Sequence, residues 1–242
     1  MCGNTPARYF EGKTDKIKER IDKFWSYPFT ARDVGAYLSG NDLEYRFGRQ
    51  DEKWMKLKPK PPFSDWDEAD PKTLRVGRTA ILILNRESFS VAQYGGEPER
   101  AGMSFIHIMA IPIDNLFNGV SLTPATVGII KESIQLFEET WEDMEHRKEI
   151  VEKQVDAIKR RAEGQEKAMD QYEELREMAM NLKVDDFAFG LHLWNEQSVP
   201  HLHLHIIAMT TEMREYSTKE HDKKTVDAIE LHDYIMGHPD PF

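Results

Sequence analysis

Asn195-Glu-Gln-Ser-Val-Pro200-His-Leu-His-Leu-His205-Ile-Ile-Ala-Met209 is the most informative stretch of the chain. In a β-strand, residues i, i+2 and i+4 share one face. A strand over Val199 to Met209 therefore lines up the rings of His201, His203 and His205, each step about 6.6–7 Å apart. Leu202, Leu204 and Ile206 then point the other way, into a core. Three histidines in five positions are improbable by chance, since only 9 of 242 residues are His.

Two chemistries use such a row. Neutral imidazole is a common metal ligand, and a catalytic metal site takes a third ligand from His107, His192 or a carboxylate. Alternatively, a ring nitrogen attacks phosphorus while a neighbouring imidazole serves the leaving group. Gln197-Ser198 just before the row suits the second chemistry. A short polar turn there aims a hydroxyl and backbone N–H groups at a phosphate.

Outward from this stretch, Asp186 to Trp194 alternates apolar residues as a strand. Thr79 to Leu84 is an apolar run of strand length, and Phe89 to Ala92 reads as another. Gly95-Gly-Glu-Pro98 is a turn or hairpin tip. Ser104 to Ile111 forms a third strand, ended by Pro112. Thr123 stands at an N-cap with Pro124 at the first helical position. Val127, Ile130, Ile134, Phe137, Trp141 and Met144 follow at helical spacing, and the stripe resumes with Val151, Val155, Ile158, Ala162, Met169 and Tyr172. This reads as one long helix, or two hinged near Arg147 or Gly164, that projects or pairs. Trp141 belongs to the core stripe. A dimerisation arm is the functional reading of the long segment, and a solvated insertion the plain one.

Ahead of the strands, Ile17, Ile21 and Phe24 mark a helix, and Arg32 to Leu38 a second one. Pro59, Pro61, Pro62 and Pro71 make residues 58–77 a linker or strap, with Trp66 as an anchor. After the last strand, Val226, Ile229, Leu231 and Ile235 mark a helix within Ser217 to Met236. The expected organisation is an N-terminal helical cap (1–57), the linker (58–77), the main domain (78–216) with a helical insertion at about 145–181, and a C-terminal helix and tail (217–242). Strands, long helix and strands in that order give an α+β fold with a central, mainly antiparallel sheet.

Composition bounds the rest. Lys and Arg number 32 against 43 Asp and Glu, a net charge of −11. That balance makes nucleic acid an unlikely partner but leaves a small nucleotide open. With a single cysteine, Cys2, no intramolecular disulfide or Cys-based zinc site can form. No apolar run reaches transmembrane length, no secretory signal is evident, and Met1-Cys-Gly3 is not a myristoylation motif. A reducing, cytoplasmic location follows as the expectation, with the nucleus left open.

His201-Leu-His203-Leu-His205-Ile-Ile207, with the polar loop Asn195 to Val199 and the upstream strand His107-Ile-Met-Ala-Ile-Pro112, resembles the histidine-triad hydrolase family. Within it, the likeness is to the nucleoside phosphoramidase branch, and it covers about Arg78 to Met209 less the helical insertion. The resemblance implies a HIT-like fold and hydrolysis at a nucleoside 5′-phosphate. His203 is then the nucleophile on the α-phosphorus and His205 hydrogen-bonds the phosphoryl or leaving group. His201 orients its neighbours, Ser198 contacts the leaving group, and Gln197 steadies the phosphate. Asn195 and His107 complete the polar shell. No metal or other cofactor is required. His205, where the nucleotidyl-transferase branch has Gln, favours hydrolysis over transfer. Gln93-Tyr94 stands where the purine-nucleoside branch has a ribose-binding Asp. Compact family members pair as dimers, so a homodimer is a possible assembly. Two other functions stay in view: acid–base chemistry on a non-nucleotide small molecule, and an interaction protein that works through its long helix. His192 is expected as a partly exposed strand residue. His146, His221, His232 and His238 are expected as scattered surface residues.

Overall fold

The computed structural model describes residues 9–28, 30–39, 63, 70–85, 102–161, 166–197, 199–215, 217 and 220–239. The expected strand at Phe89 to Ala92, the tip at Gly95, Gln93-Tyr94, Trp66, Gly164, Cys2 and Ser198 lie outside the described residues. Among the described residues no helix is long and apolar enough to cross a membrane.

Among the described residues six strands make one antiparallel sheet: β1 (Thr73–Val76), β2 (Ala80–Leu84), β3 (His107–Pro112), β4 (Phe187–His192), β5 (Leu204–Ala208) and β6 (Thr225–Asp227). Their spatial order is β1-β2-β3-β5-β4-β6. The period of two sorts each strand between two faces. Leu82, Leu84, Ile108, Ala110, Phe189, Leu191, Leu204 and Ile206 enter the main core. Ile81, Ile83 and Ile111 pack on the opposite face, as do Ala188 and Ile207. Register puts Met109 opposite His205 and Gly190 opposite His205 from the other side, so His205 sits in the middle of that second face.

The main core is covered by helices. In α3 (Ile129–Glu142), Ile130, Ile134, Phe137 and Trp141 are buried at three-and-four spacing, and the Trp141 indole N–H donates to Leu182 O at 3.0 Å. The helix begins later than the Thr123-Pro124 signal suggests. Thr126 N and Val127 N both bond Thr123 O, so Thr123 heads a separate turn, and regular helix follows only at Ile129. The long helical segment is first broken ahead of the expected hinge at Arg147, and its second break falls between Arg161 and Glu166, the interval that holds the other expected hinge, Gly164. Asp143 is extended, and its Oδ1 accepts from Glu145 N and His146 N at 3.0 Å each, capping α4 (Met144–Arg161). Arg147 donates to Trp141 O and Met180 O, which satisfies carbonyls at that break. The segment then folds back as α5 (Glu166–Met180). Val151, Val155, Tyr172 and Leu175 are buried in this pair, and Arg176–Glu152 and Lys159–Glu173 ion pairs cross it. The pair lies on the domain, with Tyr172 stacked 6.4 Å from Phe105.

The N-terminal cap is α1 (Thr14–Trp25) and α2 (Thr30–Leu38). Its stripe Ile17, Ile21 and Phe24 is fully buried, and Phe24 packs 5.9 Å from Phe117 and 5.7 Å from Trp194. After β5 come short helices α6 (Thr211–Arg214) and α7 (Glu220–Lys224), then β6, then α8 (Ala228–Gly237). The expected C-terminal helix is thus divided. Val226 is in a strand rather than a helix, because Thr225 to Asp227 adds to the free edge of β4. Asp227 Oδ1 then accepts from Ile229 N and Glu230 N at 2.9 Å each and starts α8.

Gly190 permits the close approach of β6 to β4. A Cβ there would lie 2.3 Å from Thr225 Cγ2 and 3.0 Å from the Phe10 ring. Gly190→Ala is expected to destabilise by about 1–3 kcal/mol. The melting midpoint should fall by roughly 2–4 °C per kcal/mol at this chain length. A thermal melt checks it, and an unchanged midpoint would show that the strands part freely.

Candidate functional site

The second face of the sheet carries the histidines. His107 comes from β3, His192 from β4 and His205 from β5, while His203 stands just before β5. The row is not three residues of one regular strand. The ladder begins at Leu204, and Leu202 N instead donates to Leu116 O at 2.7 Å. Pro200, which has no N–H, precedes this segment. The alternation survives the change of partner: Leu202, Leu204 and Ile206 are buried in the main core. The His203 and His205 rings come to 4.9 Å between centroids, closer than a flat strand would set them.

Each ring is fixed by a distinct contact. His203 Nδ1–H donates to the main-chain O of His201 at 2.7 Å. Its Nε2 therefore carries the lone pair, and that atom has no hydrogen-bond partner among the described residues. The His201 ring turns away, with Nε2–H donating to Pro112 O at 3.2 Å. On the other side, the Asn85 amide donates to His107 Nδ1 at 3.0 Å. His107 Nε2–H is then the donor to His205 Nδ1, at 3.0 Å. That chain leaves the proton of His205 on Nε2, a buried atom without a partner among the described residues. One imidazole thus offers a lone pair and its neighbour an N–H.

His192 is not the partly exposed residue that strand position suggested. It is 8% exposed, its ring lies 4.4 Å from that of His205, and its Nε2–H donates to Thr225 Oγ1 at 3.1 Å. The Thr225 hydroxyl in turn donates to His221 O. His221, expected at the surface, is half-buried on α7 and stacks 5.8 Å from His192. His232 is also buried, beside Asp233, because α8 turns it inward. His146 and His238 keep more exposed positions.

Burial holds this cluster neutral at pH 7. Desolvation, then the charges of His221, His203 and Arg214, lowers His107 to about 3. Desolvation lowers His201 to about 4, against its bond to Pro112 O. It lowers His203 too, opposed by the bond to His201 O, and brings His205 well below the ordinary imidazole value.

Loop 195–197 stands at one end of the row. Arg20 of α1 donates to Asn195 Oδ1, and Lys16 pairs with Glu196 at 2.6 Å. Tyr37 of α2 donates to Pro200 O, and its ring lies 6.5 Å from His201. The N-terminal cap therefore holds both ends of the loop. Gln197 between them is 8% exposed, with both amide atoms lacking a partner among the described residues. The Phe63 ring is 6.1 Å from both His201 and His203. Phe63 also lines a cavity of about 170 Å³ with Ile81, Ile83, Ile111, Asp70, Lys72 and Thr73. Asn85, Arg20, Tyr37, Phe63 and Thr225 were not foreseen from the sequence. Their own neighbours in the chain carry no motif.

No protein-family model, curated protein or solved structure matches this chain. The site must be read from its own chemistry. Among the described residues no three His, Cys, Asp or Glu side chains are grouped to hold a metal ion. Among the clustered rings His203 Nε2 and His201 Nδ1 each carry a lone pair, and His205 Nε2 an N–H, without a partner among the described residues, and the His203 ring lies against Phe63 at the edge of the isoleucine-lined cavity.

Proposed function

We propose that the protein is a hydrolase of the histidine-triad type, with a HIT-like sheet, that cleaves a P–N or P–O bond at a nucleoside 5′-phosphate. The observation that carries this reading is the opposed tautomers of His203 and His205. His203 Nε2 attacks the α-phosphorus and forms a nucleotidyl-histidine. The His201 carbonyl stabilises the charge that develops at His203 Nδ1–H during attack. His205 Nε2–H hydrogen-bonds the phosphoryl or departing atom. Gln197 donates its unpartnered amide to a phosphate oxygen. The isoleucine-lined cavity beside Phe63 takes the flat base. Water then releases the nucleoside monophosphate and restores the imidazole.

The test is a panel of nucleoside 5′-phosphoramidates and dinucleoside polyphosphates, assayed for monophosphate release without added metal. Rapid acid-free quenching and intact-mass measurement should show a covalent nucleotidyl adduct on the chain. A panel with neither product nor adduct would remove the reading.

Asn85 sets the donor at His205 through His107. Asn85→Ala is expected to lower kcat about tenfold with little change in KM, the equivalent of losing one orienting hydrogen bond of ~1.4 kcal/mol. Steady-state kinetics check it, and an unaltered kcat would mean that His205 needs no such orientation.

A further inference from the structure

The two sides of the histidine face differ. Toward β2 it opens on the Phe63 cavity, whereas toward β6 it meets α7 and the polar loop. Lys13, Lys16, Arg20, Arg214 and Lys224 surround that second side, and four of these cations are engaged. Lys13 Nζ donates to Asp222 O and Thr225 O at 2.5 Å each. Lys16 Nζ lies 2.6 Å from Glu196 Oε2 and 3.4 Å from Lys224 O, which ties the polar loop to the end of α7. Arg20 donates to Asn195, and Arg214 Nη2 meets both Asp222 oxygens at 3.0 and 2.8 Å.

Lys224 is the exception. It ends α7, it is half-buried, and its ammonium has no hydrogen bond or ion pair among the described residues, although the charge of Glu196, which Lys16 already pairs, reaches it. The next residue, Thr225, holds His192 by its hydroxyl. Beside α7 and the loop, His221 Nδ1 and both amide atoms of Gln197 are buried without partners among the described residues. A desolvated ammonium next to unpaired buried polar atoms is costly unless a ligand supplies acceptors.

We propose that Lys224, His221 and Gln197 form an anion subsite on the β6 side of the histidine row, which holds the departing phosphate of a phosphoanhydride substrate. This rests on the reading of His203 as nucleophile and names the leaving group for it. His203 Nε2 bonds to phosphorus, the bond from that phosphorus to the bridging oxygen breaks, and the oxygen leaves with the electron pair. Lys224 balances its charge while His205 Nε2–H hydrogen-bonds it. A phosphate departs as an anion without taking a proton, so the hydrogen bond from His205 Nε2–H suffices for it. Water then bonds to phosphorus, the P–N bond breaks with its pair returning to His203, and the released proton goes to solvent.

The experiment titrates inorganic pyrophosphate into the full chain and its Lys224→Met and Lys224→Arg variants at pH 7.5 and fixed ionic strength, with thermal melts confirming that each is folded. Lys224→Met should weaken pyrophosphate binding about tenfold or more, and Lys224→Arg should restore most of it. Equal affinity in all three proteins, or no binding to wild type, overturns the subsite. In parallel, the ratio of kcat/KM for a dinucleoside polyphosphate over a phosphoramidate should fall about tenfold in Lys224→Met, and an unchanged ratio rejects the proposal. If wild type turns over neither compound, the fault is in the reading of His203, and the pyrophosphate titration still decides the subsite.

Discussion

Alanine at position 203 is expected to lower monophosphate release by roughly 10⁴-fold or more, because it removes the atom that bonds to phosphorus. The geometry isolates that atom. His203 Nδ1–H is tied to His201 O, so only Nε2 is available for attack. His205 cannot take over, since its Nδ1 receives the His107 bond and its Nε2 carries the proton. His201 also holds a lone pair without a partner among the described residues, on a buried Nδ1, but its ring is turned away from the row with Nε2–H on Pro112 O. The loss should fall on kcat, and the intact-mass adduct should vanish with it. A thermal melt of His203→Ala separates this from unfolding. Turnover within tenfold of wild type in a folded variant would dismiss His203 as the nucleophile.

Mild acid is expected to unfold the protein through the same cluster. His107 is held at about 3, His192 at about 2 and His201 at about 4, all chiefly by burial. In the unfolded chain each returns to about 6.5. Above pH 6.5 both states are neutral, and these groups leave stability untouched. Below it the unfolded chain binds protons that the folded chain refuses. Stability therefore falls as pH drops from 6.5 toward the folded values. Each group costs about 1.4 kcal/mol at pH 5.5, and the three together about 4 kcal/mol, a large part of an ordinary domain's stability. His203 and His205 are lowered too and add in the same direction. Thermal or denaturant melts at pH 7.5, 6.5 and 5.5 should show a midpoint that is level above 6.5 and drops steeply below. His192→Asn should make the drop shallower. A level midpoint down to pH 5.5 would mean that the rings are far wetter than their burial implies.

Much of the architecture was legible because it depends on short-range patterns. The apolar run over Thr79 to Leu84 and the alternation over Asp186 to Trp194 marked strands, and strands lie within both. The spacing of Ile17, Ile21 and Phe24 marked α1, and that stripe is buried. Trp141 read as core from its place in a helical stripe, and it is fully buried. The misreadings occurred where a tertiary contact overruled the local signal. Asp143 ends one helix and caps the next, so an apolar stripe that runs through it is not one helix. Val226 has helical neighbours, but the open edge of β4 takes it into a strand. His221 looked like a surface residue on a charged segment until α7 laid it against His192.

For the site, the sequence alone determined the row: His201, His203 and His205 with leucine between them, and the polar loop ahead. Alternation is a property of neighbouring residues, and it holds even where the strand ladder has not begun. Which nitrogen of each ring is free was decided only by the tertiary structure. That choice depends on Asn85 at the end of β2 reaching His107 on β3, on His107 reaching His205 on β5, and on Thr225 of β6 holding His192 on β4. These partners are set by strand order and register, which place residues 22 to 98 positions apart within a hydrogen bond. No spacing along the chain encodes such a pairing, because it exists only once the strands have paired in register.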